Sequence, residues 1–129
     1  MGEKLKILLV DDEPGIVKMV SKRLEVEGFE VGTAMDGEQA LLQIQNFGPD
    51  LIVLDVMLPK INGYEVCRRL KEDGRYKHIP IVLFTAKTGP RNEAMGLDQG
   101  ADAYIRKPFR AKELIDAVRA LTQEMPRHS

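Results

Sequence analysis

Four apolar runs in this chain lead into residues able to do polar chemistry. Lys6-Ile7-Leu8-Leu9-Val10 stops at Asp11-Asp12-Glu13, Leu51-Ile52-Val53-Leu54 at Asp55, Ile81-Val82-Leu83-Phe84 at Thr85, and Ala103-Tyr104-Ile105 runs on to Lys107-Pro108. If the first and third runs are neighbours, Asp11, Asp12 and Asp55 converge. Two carboxylates about 4 Å apart repel by roughly 4 kcal/mol at an effective dielectric near 20. Such a cluster calls for a cation. A few oxygen ligands, with room left for water and a phosphoryl group, suit Mg²⁺ better than zinc or copper. An aspartate beside that metal is a nucleophile toward a phosphoryl donor, and the product is an acyl phosphate. Thr85 would offer a hydroxyl, and Lys107 a point charge, to the phosphoryl oxygens.

The elements that must position these groups are legible in the spacing. Continuous apolar runs suit strands buried on both faces, as in a parallel sheet. Pro14 fits the first turn of a helix carrying Ile16, Val17, Val20 and Leu24, with Gly28 as its stop. Phe29 to Thr33 alternates and predicts an edge strand. Asp36 is placed to cap a helix with Ala40, Leu41, Ile44 and Phe47, ended by Gly48-Pro49. After Asp55, a loop with Pro59 and Asn62-Gly63 leads to a helix bearing Val66, Cys67 and Leu70, closed near Gly74. Gly89-Pro90 opens a short, weakly apolar helix with Ala94, Met95 and Leu97, stopped by Gly100. The last helix carries Leu114, Ile115, Val118 and Leu121 and fades at Pro126; Arg110-Ala111 gives it no side-chain cap. Five strands alternating with five helices make a doubly wound α/β domain. Ligands in such sheets bind beyond the carboxyl ends of the strands, where the polar residues stand.

Composition narrows the function classes. The chain has 129 residues, 19 basic and 20 acidic side chains and one cysteine. That length suits one domain, 1–129, with a core over about 4–122. A net charge of −1 argues against direct binding to nucleic acid or a membrane surface. One cysteine makes neither an internal disulfide nor a multi-thiolate metal site. The only serines are Ser21 and Ser129 and the only histidines His78 and His128, a poor supply for a hydrolase triad. No apolar run approaches a membrane span, so a cytoplasmic location is expected. Each site residue also has a plain structural reading. Asp12 or Glu13 before Pro14 reads as a helix cap, Thr85 as a strand-end residue, Lys107 as a solvated cation. Their joint placement at one sheet edge favours the chemical reading.

Taken together, the blocks Ile7-Leu8-Leu9-Val10-Asp11-Asp12-Glu13, residues 49–59 with Gly63, Phe84-Thr85-Ala86 and residues 100–109 resemble the receiver domain of two-component response regulators, the chemotaxis regulator being its minimal form. The same family supplies a standard example of the strand-end rule used above. The resemblance implies a flavodoxin-like three-layer fold with a parallel five-stranded sheet in the order 2-1-3-4-5. It implies that Asp55 is the phosphoacceptor and that Asp12, Asp55 and the Met57 backbone carbonyl ligate Mg²⁺, with Asp11 acting through water. Thr85 would bind the phosphoryl group and Lys107 would pair with Asp55 and later with a phosphoryl oxygen. Ala86 would leave access to Asp55, Tyr104 would sit at the aromatic switch position, and the Lys107-Pro108 bond would be cis. Met57 and Lys87 would flank the route of attacking water.

The implied partners are a sensor histidine kinase or phosphotransfer protein and a downstream effector or attached output domain, with a homodimer through the fourth helix, fifth strand and fifth helix as a further possibility. Such a domain is a signalling phosphoacceptor, not an enzyme beyond its own phosphotransfer and autodephosphorylation. The competing reading is a receiver-like interaction module that works without phosphorylation; modules of that kind often lose an acidic or lysine position, and this chain has lost none. A haloacid-dehalogenase-like phosphatase would want a second aspartate where Met57 stands. A flavodoxin would want a Ser/Thr/Gly phosphate loop where Asp11-Asp12-Glu13 stands.

Overall fold

The structure, a computed structural model, describes residues 4–86 and 90–126, with the side chains of residues 90, 91 and 93 outside the description. The expectations placed on Lys87 and Gly89 therefore lie outside the described residues. Ten elements follow in strict alternation: β1 (Lys6–Val10), α1 (Pro14–Val26), β2 (Glu30–Ala34), α2 (Gly37–Phe47), β3 (Leu51–Leu54), α3 (Gly63–Lys71), β4 (Ile81–Thr85), α4 (Pro90–Asp98), β5 (Ala103–Arg106) and α5 (Ala111–Thr122). The strands form one sheet in the order β2-β1-β3-β4-β5, and every pairing is parallel.

Alternation along the buried strands divides the core in two. Leu8, Val10, Ile52, Leu54, Ile81 and Leu83 face Ala40 and Ile44 of α2 and Val66, Cys67 and Leu70 of α3. Ile7, Leu9, Leu51, Val53, Val82 and Phe84 face Val20 and Leu24 of α1 and Leu114, Ile115 and Val118 of α5. Strands with both faces covered must be apolar throughout, which is why the three central runs read as they do.

Local chemistry sets the boundaries. Asp36 accepts a hydrogen bond from the Gln39 N–H at 2.8 Å, and Gly48 takes a left-handed φ of 67° where α2 ends. Asn62 caps α3 by accepting from the Glu65 N–H at 3.0 Å. Arg110 makes no side-chain cap at α5, as its chemistry predicts. Three boundaries differ from the sequence reading. Strand β2 starts at Glu30, because the Phe29 N–H is held by the Leu24 carbonyl at the end of α1. Helix α3 stops at Lys71, and Asp73 then organises a turn by accepting the N–H groups of Tyr76 and Lys77 at its carbonyl. Helix α5 stops at Thr122, since Pro126 has no N–H to give the Thr122 carbonyl and disfavours helical geometry before it.

At the end of the sheet away from the polar cluster, the turn after α4 is fastened to α3. Lys71 Nζ donates to the Ile79 carbonyl at 2.8 Å and lies 3.4 Å from Asp102 Oδ2. Asp102 Oδ2 also accepts the Ile81 N–H, and Cys67 Sγ donates to the Gln99 carbonyl. Gly100, at φ 98°, lies under the Lys71 stem; a Cβ there would come within 2.6 Å of Lys71 Cγ.

Candidate functional site

Three backbone hydrogen bonds set the strand ends level. The Asp11 N–H donates to Ala34, the Asp55 N–H to Val10 and the Lys107 N–H to Thr85, at 3.1, 3.0 and 2.8 Å. Because β1 and β3 are neighbours, Asp11 and Asp55 leave the sheet side by side. One carboxylate oxygen from each of Asp11, Asp12 and Asp55 lies within 4.8 Å of the other two. Asp11 and Asp55 are buried, while Asp12 is exposed at the mouth.

Lys107 joins the two buried acids. Its Nζ lies 2.7 Å from Asp11 Oδ2 and 3.3 Å from Asp55 Oδ2, with Glu13 Oε1 at 3.8 Å. Asp11 Oδ1 accepts the Glu13 N–H at 2.9 Å, and Asp55 Oδ1 accepts the Met57 N–H at 3.1 Å. The capping expectation for Asp12 and Glu13 is corrected here. Glu13 occupies the N-cap of α1 without a side-chain hydrogen bond; its backbone N–H goes to Asp11, and its carboxylate stands 3.8 Å from Lys107 Nζ. Pro14 at the first helical position has no N–H to satisfy, so less capping is needed.

Burial raises the Asp55 carboxyl above its ordinary value and the Asp11 charge adds to this, against the opposing pull of the Met57 N–H and the Lys107 ammonium. For Lys107, burial works against the charge, yet the hydrogen bond to Asp11 and the charges of Asp55 and Asp11 outweigh it and leave its pKa raised. The ammonium persists over the whole neutral range.

The loop between β3 and α3 is clamped at two glycines. A Cβ on Gly63 would sit 2.2 Å from the Asp55 carbonyl oxygen, and one on Gly37 2.0 Å from that of Ile61. The Gly63 N–H donates to Val56 and the Gly37 N–H to Pro59. Lys60 carries a left-handed φ of 69°, a strained conformation for a residue with a Cβ. Close backbone approach thus holds the chain segment of Asp55 and Met57, whose side chain is 55% exposed.

The remaining candidates sit around this group. Thr85 is wholly buried at the end of β4. Ala86 is exposed and lines a cleft with Glu13, Ile16, Met19, Lys107, Pro108 and Phe109. The Lys107–Pro108 peptide is cis. Tyr104 is half-buried on β5, and its ring packs where a Cβ on Gly96 of α4 would fall. Sequence reasoning missed Glu13 as a partner of Lys107 and missed the Phe84 ring, whose centroid lies 4.7 Å from Lys107 Nζ. The sequence sets Phe84 next to Thr85 but carries no signal that its ring meets Lys107.

Hard oxygen donors converging around an open mouth, with one of the carboxylates exposed, fit a small divalent cation such as Mg²⁺. The chain matches the response regulator receiver domain family over residues 7–119. It is 46% identical to the DNA-binding response regulator MtrA of Mycolicibacterium smegmatis, over 89% of this chain and 49% of that protein. It is 47% identical to the alkaline phosphatase synthesis transcriptional regulatory protein PhoP of Bacillus subtilis, over 90% of this chain and 48% of that one. The chain thus spans about half the length of the curated relatives it matches. Among solved structures it superposes on the chemotaxis response regulator CheY4 of Vibrio cholerae with a TM-score of 0.86 and 35% identity, covering 92% of this chain and 98% of that one. The receiver domain of Francisella response regulator 1452 gives a TM-score of 0.89 at 30% identity, covering 95% and 100%.

Proposed function

The chain belongs to the response regulator receiver domain family of two-component signalling, and on that premise we propose that Asp55 accepts a phosphoryl group from the phosphohistidine of a sensor kinase or phosphotransfer protein. The observation that supports this most directly is Lys107 shared between Asp11 and Asp55, with Asp12 in reach of both. An oxygen of Asp55 attacks phosphorus and forms the new P–O bond. The donor's P–N bond breaks, and its electron pair stays on the imidazole nitrogen. Lys107, already against Asp55, moves its attraction from the spent carboxylate charge to the phosphoryl oxygens. The Thr85 hydroxyl supplies a further donor, and the small Ala86 keeps the approach open. Asp11, Asp12 and Asp55, with the Met57 carbonyl, would hold Mg²⁺. Bound there, the ion would neutralise the carboxylate cluster and the incoming phosphoryl charge.

The domain is a signalling element, and its chemistry is confined to phosphoryl uptake and loss at Asp55. Residues 1–129 form one receiver, with a core over about 4–122. Its signal passes to an attached or separate output protein, and exposed Met95 and Leu97 of α4 support a surface made by α4, β5 and α5, used by an effector or a second copy. Tyr104, against α4, and Pro108, beside Lys107, belong to the route from Asp55 to that surface. A cytoplasmic place follows from a kinase-fed role; no helix among the described residues is long and apolar enough to cross a membrane. The phosphorylation-independent module is not favoured, because every acidic and lysine position is filled. Incubation with acetyl phosphate and Mg²⁺ should add about 80 Da to the protein. An Asp55→Asn protein that gained the same mass at the same rate would overturn the assignment.

A further inference from the structure

We propose that Phe84 is a positioning residue for Lys107: its ring, braced by Phe109, is a seat that holds the ammonium over Asp11 and Asp55 for the incoming phosphoryl group. This role rests on the phosphoacceptor reading of Asp55. Lys107 Nζ stands 4.7 Å from the Phe84 ring centroid, inside the roughly 6 Å over which a cation is drawn to an aromatic face. The ring is wholly buried, and only 12% of the Lys107 side chain is exposed, so water screens the attraction little. Phe109 meets Phe84 in a T-shaped contact at 5.7 Å and 75°, which fixes the plane of the ring.

The chemistry gives this seat a task that carboxylates cannot perform. Phosphorylation of Asp55 moves its negative charge outward onto the phosphoryl oxygens, so the ammonium must follow that charge without settling on Asp11, already its closer partner at 2.7 Å. The ring neither titrates nor reacts, and its attraction is the same before and after transfer. A lysine stem has four rotatable bonds, and a fixed third contact limits where its head can go. An aliphatic side chain, such as those at the other β4 positions Ile81, Val82 and Leu83, would fill the same core volume without offering a negative face.

The test replaces Phe84, by site-specific incorporation, with mono-, di- and trifluorophenylalanine, which nearly preserve shape while draining the negative charge from the ring face. The rate of Asp55 phosphorylation by acetyl phosphate should fall stepwise with each fluorine, by about three- to tenfold in all, at an unchanged melting temperature. The Lys107 Hε resonances should lie upfield in the native protein through the ring current and lose that displacement in Phe84→Leu. Rates that stay flat across the fluorinated series overturn the positioning role, as do Lys107 resonances at their solvent-exposed position. A wild-type protein that takes up no phosphoryl group overturns the phosphoacceptor reading and this role with it. A phosphorylated wild type with a flat series removes this role alone.

Discussion

Substitution of Gly63 by alanine should damage both the stability of the domain and its phosphoryl chemistry. The added methyl would lie 2.2 Å from the Asp55 carbonyl oxygen and 2.8 Å from Val56 Cα. Both contacts are backbone, so no side chain can swing aside, and α3 must retreat from the end of β3 by about 1 Å to relieve them. That retreat strains the Gly63 N–H bond to Val56, now 2.8 Å. Overpacking of this kind costs about 1–3 kcal/mol and a strained hydrogen bond about 1 more. The better helix propensity of alanine returns less than 1 kcal/mol at a first-turn position. The net loss is about 1–3 kcal/mol, which for this size of domain lowers the melting temperature by about 4–12 °C. Because the displaced backbone carries Asp55, the phosphorylation rate should fall on the order of 100-fold, the effect of a 1 Å misplacement. The control is Gly15→Ala, also in the first turn of a helix, where a Cβ meets nothing within 4 Å; it should be neutral or mildly stabilising. Thermal melts and mass-detected phosphorylation read both quantities. A Gly63→Ala protein that melts within 2 °C of its parent would refute the clamp.

In EDTA, Asp55→Asn should stabilise the domain at neutral pH, on the order of 1 kcal/mol. Burial raises the folded Asp55 pKa, so the native state holds the proton more tightly and stability falls as pH rises through that folded value. The burden is complete above the folded pKa and gone below the ordinary value of 3.8, so urea melts should show the mutant's advantage closing as pH falls. An advantage that widens toward acid would contradict the sign. Mg²⁺ at 100 times its dissociation constant should add about 2.7 kcal/mol by binding only the native cluster. Asp12→Ala should remove most of that response, and equal Mg²⁺ responses in the two proteins would reduce the cluster to a turn feature.

The fold was legible because burial on both faces leaves a distinctive mark. Ile7–Val10, Leu51–Leu54 and Ile81–Phe84 are apolar without alternation, and every one lies in the middle of the sheet, whereas the alternating second run became edge strand β2. Asp11, Asp55, Thr85 and Lys107 were legible for a related reason: polarity begins where the strands end. Contacts made across the chain were not. Glu13 reaches Lys107 over 94 residues of sequence, and Phe84 reaches it from the neighbouring strand β4, so neither pairing has a local period. The Asp11 turn was also hidden, since Pro14 mimics the signal of a capped helix whichever neighbouring acid takes the N–H. Helix ends at Lys71 and Thr122 escaped because glycine and proline mark where a helix must have stopped, not where it does.

The fastening between α3 and the turn after α4 gives α4 the mechanics of a lever pivoted at its C-terminal end. Lys71, Asp102 and the Cys67–Gln99 bond grip the chain just past Asp98, so α4 cannot translate without breaking them. Its available motion is a swing. Nine residues at 1.5 Å each make an arm of about 13 Å, and a tilt of about 10° at the pivot carries the opposite end roughly 2 Å. The opposite end, where the Tyr64 hydroxyl donates to the Asn92 carbonyl at 3.1 Å, lies toward Thr85 and Asp55, so the largest displacement falls nearest the acidic cluster and strains that one bond. Loosening the pivot would shorten the effective arm: with Lys71 cut back, the same push at Thr85 would be spent on sliding α4 rather than turning it.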